Sequence, residues 1–172
     1  MPFWRIFGKP GPSPHAAWWT DADAAAEAPT PDKIERLRAG MVARTAGADD
    51  HERQEEMVDG LEQLLAVVQS DQLPTIPTGH RVIGGDACHL VAPVTLADSP
   101  VGGKLFITSA RVVFTSGAVN AWPWHRVRAI TRSDRDLVVT ITGAGDALHV
   151  RCNAYADALI ATHLARRLQI TK

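Results

Sequence analysis

The spacing of apolar residues changes from helical to strand-like near the middle of the chain. Between residues 31 and 72, apolar side chains recur every three or four positions, which is the pattern of one face of an α-helix. Beyond about residue 90 they alternate with polar side chains, as on a half-buried β-strand. The sequence therefore predicts helices in the first half of the chain and a sheet in the second.

Two helices are predicted between residues 31 and 72. Thr30 is placed to cap the first helix, with Pro31 at its first position, and Pro74 and Pro77 follow the second helix. The apolar stripes are Ile34, Leu37 and Met41 in the first helix and Met57, Leu61, Leu64, Leu65 and Val68 in the second. One helix cannot bury its stripe alone. We interpret residues 31–72 as a helical hairpin that packs on itself, on the second half or on another copy of the chain.

The first thirty residues differ in composition. Residues 10–31 contain five prolines among many alanines, which favours an unpacked linker. A short alanine-rich helix fits residues 21–28 within it, with Thr20 as the cap. We predict a flexible N-terminal tail over residues 1–30.

The second half predicts short antiparallel strands and a closing helix. Turns at residues 109–110 and 143–146 have the composition of hairpin connections. The predicted strand segments are residues 90–96, 105–108, 111–115, 127–132, 137–141 and 148–152. After Asn153, Leu159, Ile160, Leu164 and Leu168 recur at helical spacing. Roughly seven short strands followed by one helix predict a small barrel or sandwich.

One predicted hairpin resembles a known family. It reads GKLFITSARVVF and carries Gly103, Leu105, Phe106, Ile107, Thr108, Arg111, Val112 and Phe114. This hairpin is similar to that of the GRAM branch of the pleckstrin-homology superfold and its bacterial relatives. Downstream, WPWHRVRAI and RDLVVTI resemble the segments that enter the family's fifth and sixth strands. The resemblance covers about residues 80–170.

The resemblance implies an α+β fold. A seven-stranded antiparallel β-barrel, capped by a C-terminal helix, would occupy residues 80–172 as a PH/GRAM-like domain, after an N-terminal helical segment. Phosphoinositide-binding members of the superfold carry basic residues around the first two strands, where this chain has Lys104 and Arg111. Peripheral binding to anionic membrane lipids through these two residues is therefore one function that the resemblance implies.

Composition favours a soluble protein of the cytoplasm. Hydrophobic residues make up 45% and charged residues 22% of the chain, and no apolar run approaches the roughly 20 residues of a membrane-spanning helix. The two cysteines cannot form a disulfide framework. Residues 1–79 carry a net charge of −6 and residues 80–172 one of +5. This asymmetry indicates docking of one half on the other, an anionic surface as partner, or only differently solvated faces.

The candidate partner-binding residues lie in and after the Trp-Pro-Trp segment. Arg126, Arg128 and Arg132 share one face if their strand is regular, forming a positive ribbon that suits a membrane, the acidic helices or a protein partner. The sequence disfavours nucleic acid as a partner, because the surplus of positive charge is modest and no recognised nucleic-acid-reading motif is present. Trp122 and Trp124 face the same side at a spacing of two, so they either cover the barrel wall or anchor a partner. Phe3, Trp4 and Phe7 form an apolar tip suited to a membrane interface or to docking on a protein surface.

Catalytic patterns are weak in this sequence. Cys88, His149 and Cys152 could contribute to a metal site, but strand alternation places His149 and Cys152 on opposite faces. No pattern pairs a nucleophile with an orienting base. We predict no enzyme activity, metal or cofactor. The expected function is that of a non-catalytic binding or adaptor protein, through a protein partner or self-association. The alternatives are peripheral membrane binding and a small metal-dependent enzyme.

Overall fold

The computed structural model describes residues 13–41, 48–143 and 147–170. Its helices are α1 (Pro14–Glu27), α2 (Pro31–Ala39), α3 (Ala48–Gln69) and α4 (Tyr155–Ile170). Its strands are β1 (Cys88–Leu96), β2 (Gly102–Thr108), β3 (Arg111–Thr115), β4 (Val119–Pro123), β5 (Val127–Ser133), β6 (Asp136–Ile141) and β7 (Leu148–Cys152). Short 3-10 turns occupy Arg81–Ile83 and Trp124–Arg126. None of the described helices is both long and apolar enough to cross a membrane.

The seven strands form one antiparallel sheet in the order β4-β3-β2-β1-β7-β6-β5. The predicted α+β class, with seven antiparallel strands before a terminal helix and with helices upstream, is confirmed. The predicted barrel is not closed, because β4 and β5 are the two edges of the sheet and do not pair with each other. The 3-10 turn Trp124–Arg126 joins them as a corner, where a ladder cannot form.

The main core lies between the inner face of the sheet and α4. Strand alternation sends Leu105 and Ile107 into this core and Phe106 to the opposite face. From α4, Ala158, Ala161 and Leu164 are fully buried against the strands. On the outer face, Ile83 from the 3-10 turn covers a small cluster with Cys88, Phe106 and Val113. Both faces of β1–β3 are therefore buried.

A layer formed by α1, α2 and α3 packs on the N-terminal part of α4. Its apolar residues are Trp18, Ala22, Ala25, Ile34, Leu37, Met57, Val58, Leu61 and Leu64, which enclose Tyr155 and Leu159 of α4. Gly60 permits the close approach of α3, since a Cβ there would lie 3.0 Å from the Ala156 nitrogen. The segment predicted as a helical hairpin thus contains α2 and α3, and both belong to a layer that covers α4.

The prediction of a flexible tail over residues 1–30 is wrong for residues 14–27. These residues form α1, which begins with Pro14 in its first turn, where a missing N–H costs nothing. Trp18 is 5% exposed and donates its indole N–H to the Leu37 carbonyl at 2.9 Å. The prolines that indicated a linker lie before α1, between α1 and α2, or at the first position of either helix, so the alanine-rich stretch between them is free to form a packed helix.

Candidate functional site

Acidic side chains of the helical layer face basic side chains of the sheet and α4. Asp23 pairs with Arg132, Glu56 with Arg135 at 3.7 Å, and Glu27 with Arg166 at 2.7 Å. The charge asymmetry along the sequence therefore corresponds to docking of the first half on the second. A largely exposed pair such as Glu27–Arg166 contributes at most about 1 kcal/mol. Burial of the apolar layer holds the two halves together, and the ion pairs orient them.

The predicted arginine ribbon is not continuous. The Arg132 side chain is only 10% exposed, held by Asp23 and by the Asp134 carbonyl. Arg126 and Arg128 are exposed. The pairing of β5 with β6 shifts register between Val127 and Ala129, so residues before and after this irregularity no longer alternate as a regular strand would. Only Arg126 and Arg128 of the three predicted contacts remain accessible.

The two predicted tryptophan contacts occupy different environments. Trp124 is 2% exposed, lies in the main core and donates its indole N–H to the Thr108 carbonyl at 2.9 Å. Trp124 is therefore a core residue and not the exposed anchor of the prediction, although it also lines the cleft described below. The chain turns into 3-10 conformation at Trp124, so a spacing of two does not keep it on the face of Trp122. Trp122 is partly buried against the core and partly exposed on the β4 edge strand.

The two candidate lipid ligands lie at opposite ends of the β2–β3 hairpin. Lys104 is exposed near the open end, opposite Thr115, with its ammonium 3.4 Å from Nε2 of His80. Arg111 follows the turn and binds Asp86 at 2.8 Å and the Ile83 carbonyl at 3.2 Å. The Arg111 guanidinium fastens the 81–86 segment to the sheet, and the two side chains do not converge on one site.

The residues of the metal-enzyme alternative are not brought together. Cys88 lies in the outer cluster and Cys152 in the main core, on opposite faces of the sheet, while His149 is partly exposed beside Asp136. Burial raises the pKa of the Cys88 thiol and raises the pKa of the Cys152 thiol to about 12. Both thiols are therefore protonated near neutral pH. No group of three potential metal ligands occurs among the described residues.

Two sequence predictions fall on residues outside the described ranges. The apolar tip, Phe3, Trp4 and Phe7, precedes the first described residue. The predicted β6–β7 connection at 143–146 is described only at its first residue, Gly143, which has φ of +77°. Glycine adopts this left-handed conformation readily.

A cleft of about 250 Å³ opens between the start of β5 and the last turn of α4. Trp124 and Val127 line its apolar part, and His125, Arg128 and Gln169 line its polar part. The Gln169 amide donates to the Val127 carbonyl at 2.9 Å and ties α4 to the strand. We call these five residues the β5–α4 cleft. Sequence reasoning missed His125 and Gln169, because helix and strand meet here only in the folded chain.

A larger cleft, of about 500 Å³, lies between α1 and α2. Trp18 and Leu37 line its apolar part, and Asp21, Lys33 and Arg36 line its polar part. None of the residues predicted from the sequence as contacts lines this cleft.

Tyr155 joins the helical layer to the β5–β6 turn. Its hydroxyl donates to the Asp134 carboxylate and accepts from the Arg53 guanidinium at 3.1 Å, while its ring stacks on Trp19. Asp134 has a left-handed φ of 57°, which aspartate tolerates better than most residues. Burial first, and then the bond to Asp134, raise the pKa of Tyr155 to about 12.

A spectroscopic titration tests this junction directly, because Tyr155 is the single tyrosine of the chain. We expect phenolate absorbance to rise with a pKa of about 12 in the folded protein and near 10 in denaturant. Since the folded pKa is the higher one, the unfolding free energy should fall as pH rises from about 10 towards 12. Asp134→Asn should lower the folded pKa. A folded pKa at the denatured value would contradict the described burial.

Comparisons with known proteins identify no relative by sequence. No family model matches the chain, and no curated protein matches it. The complex of the FERM and C-terminal domains of Drosophila Merlin is similar in structure, with 11% identity and a TM-score of 0.43, over 92% of this chain and 57% of that one. The complex of human RhoA, its inhibitor and the DH/PH domain of human ARHGEF11 is also similar in structure. Its identity is 8% and its TM-score is 0.42, over 89% of this chain and 54% of that one.

This chain spans little more than half the length of each of the two matched chains. Because both TM-scores lie below 0.5, neither likeness supports an inference about function. The order of elements, seven antiparallel strands followed by a helix, agrees with the pleckstrin-homology-like architecture that the hairpin resemblance implies.

Proposed function

We propose that the protein is a non-catalytic binding module of the cytoplasm, and that it binds an acidic segment of a protein partner at the β5–α4 cleft. Arg126 and Trp122, which lie close to the cleft residues Trp124 and His125 along the chain, would extend the contact. We assign the sheet and α4 to the GRAM-like branch on the strength of the β2–β3 hairpin. Fold alone does not determine a ligand, so the proposal rests on the cleft.

The contrast between arginines that are paired with acidic residues and arginines that are not supports the β5–α4 cleft as the binding site. Arg132, Arg135 and Arg166 each pair with an acidic residue of the helical layer. Within the described ranges, Arg126 and Arg128 are exposed and make no ion pair; Arg128 lines the cleft, and Arg126 donates to the Thr142 carbonyl at 3.2 Å. Positive side chains around a desolvated floor suit a segment that combines carboxylates with an apolar residue.

The neighbouring groups disfavour a lipid head-group site. Arg111 is committed to Asp86, and Lys104 lies at the far end of the same hairpin. A head-group site needs several cations directed at one phosphate. The protein-binding proposal therefore takes precedence over peripheral membrane attachment.

Binding can be measured by titrating the full chain with synthetic peptides that combine glutamate with leucine or phenylalanine. We expect Arg128→Glu to weaken binding about tenfold or more, because it replaces a charge-assisted contact by repulsion. The matched control is Arg36→Glu, an exposed arginine on α2.

Equal affinities for the two variants, or no binding by any peptide, would refute the site. Binding of the full chain to phosphatidylserine vesicles is measured as well, to test the membrane alternative. Vesicle binding at low salt without peptide binding would favour the membrane alternative and overturn the proposal.

A further inference from the structure

The edge strand β4 has unusual chemistry for a sheet edge. From residue 112 to residue 125 the chain contains no lysine, arginine, aspartate or glutamate. Natural edge strands usually carry charges that prevent pairing with other chains. The opposite edge, β5, follows this rule, since it contains Arg128 and Arg132. The β4 edge therefore lacks the protection that the β5 edge has.

The backbone of β4 presents groups along this edge that pair with no part of the chain that the structure describes. The backbone N–H of Trp124 donates to the Ala110 carbonyl, and that of Ser116 donates to the Ala118 carbonyl. The even-numbered residues of β4 therefore direct their backbone N–H and C=O groups towards β3. In an antiparallel pair the hydrogen-bonding direction alternates. Val119 and Ala121 therefore direct their N–H and C=O groups away from the sheet.

The side chains at this edge are also uncovered. Val119 is 56% exposed, one of four large hydrophobic residues exposed in the described part of the chain, and Asn120 and Ala121 are exposed beside it. A row of free backbone groups with small, uncharged side chains is a template for another strand.

We propose that the β4 edge pairs with the β4 edge of a second copy of this chain, in antiparallel orientation about a two-fold axis at Asn120. This inference rests on the proposed binding role and names one partner, but it uses the β4 backbone and not the β5–α4 cleft. In this register Val119 of each copy lies opposite Ala121 of the other. Asn120 of one copy lies opposite Asn120 of the other, and a side-chain amide can both donate to and accept from an identical amide.

Charge and register favour a second copy as the occupant. Self-pairing about Asn120 places this residue opposite its own symmetry mate, so a charge at the axis would face a like charge, and β4 has no charged residue. The net charge of −1 leaves little repulsion between whole molecules. Pro123, which lacks an N–H, falls opposite Gly117 at the two ends of the ladder, where no interior bond is lost.

The short ladder predicts a weak dimer. A strand of five residues buries less than the roughly 1,200 Å² of a standard stable interface, so a dissociation constant in the micromolar range or above is expected. The test is sedimentation equilibrium of the full chain over a wide concentration range, with hydrogen exchange at individual amides. Exchange at Val119 and Ala121 should slow as the dimer forms.

Substitutions that introduce opposite charges at Asn120 make the experiment specific for this two-fold axis. Asn120→Asp and Asn120→Lys alone should each weaken the dimer about tenfold or more, because like charges face each other. An equal mixture of the two variants should restore it, which a folding defect would not do. Thr131→Asp and Thr131→Lys, at an exposed position of β5, are matched controls that should leave the dimer unchanged.

The outcomes separate this inference from the proposed function. A wild-type chain that stays monomeric at high concentration overturns the inference, as does a dimer that is insensitive to the Asn120 variants. Arg128→Glu should leave the dimer intact while weakening peptide binding. Loss of peptide binding in the Asn120 variants as well would show one shared surface and would overturn the separate role of β4.

Discussion

Replacing Trp124 by alanine is expected to destabilise the fold by about 3–5 kcal/mol, the usual cost of removing a large buried aromatic side chain. Trp124 is 2% exposed, and its indole N–H satisfies the Thr108 carbonyl near the β2–β3 turn. The substitution would leave a cavity in the main core and an unpaired buried acceptor. Urea unfolding of the full chain measures the loss.

Trp122→Ala is the matched control for this experiment. Trp122 is only partly buried, so its removal should cost clearly less, about 1–2 kcal/mol. The loss of stability caused by Trp124→Phe should lie between these two values, since phenylalanine retains most of the apolar contact but loses the hydrogen bond to the Thr108 carbonyl. A Trp124→Ala variant as stable as the wild type would mean that this side chain is not the core residue described here.

Replacing Gly103 by valine is expected to cost about 3 kcal/mol or more, at the upper end of overpacking effects. A Cβ at this position would overlap the Thr115 carbonyl oxygen and lie 2.8 Å from Cε2 of Phe114. The oxygen belongs to the β3 backbone and cannot move aside without disturbing the β2–β3 ladder. Glycine is therefore required at Gly103 for close approach of the Phe114 ring.

Gly102 offers a control one residue away on the same strand. A Cβ there meets nothing within 4 Å, so Gly102→Val should be neutral or slightly stabilising in urea unfolding. If both valine variants lose the same stability, a general intolerance of β2 to side chains explains the result, and the packing argument for Gly103 fails.

Sequence periodicity was sufficient for β6, whose burial alternates because Leu137, Val139 and Ile141 enter the main core. The strands β2 and β3 are buried on both faces, and the short apolar runs on either side of the turn at residues 109–110 indicated them. The β4 strand escaped detection, since its first three residues are exposed on both faces and produce no alternation. The α1 helix was obscured by flanking prolines, although those prolines lie at positions that a helix tolerates.

The candidate site was less accessible to sequence reasoning. The ribbon of Arg126, Arg128 and Arg132 assumed a regular strand, and one irregularity in β5 together with the pull of Asp23 removed Arg132 from the surface. Asp23 and Arg132 are 109 residues apart in sequence, and no local pattern links them. The presence of His125 and Gln169 in one cleft depends equally on how α4 docks.

Docking of α1, α2 and α3 on α4 has a practical consequence for dissecting this protein. A fragment beginning near residue 80 would retain every strand but uncover Tyr155 and Leu159, which the intact chain keeps 0% and 2% exposed. It would also leave Arg135 and Arg166 without their carboxylate partners. Such a fragment would expose an apolar surface beside unpaired positive charges and would tend to aggregate. Recombinant versions should therefore start no later than residue 13.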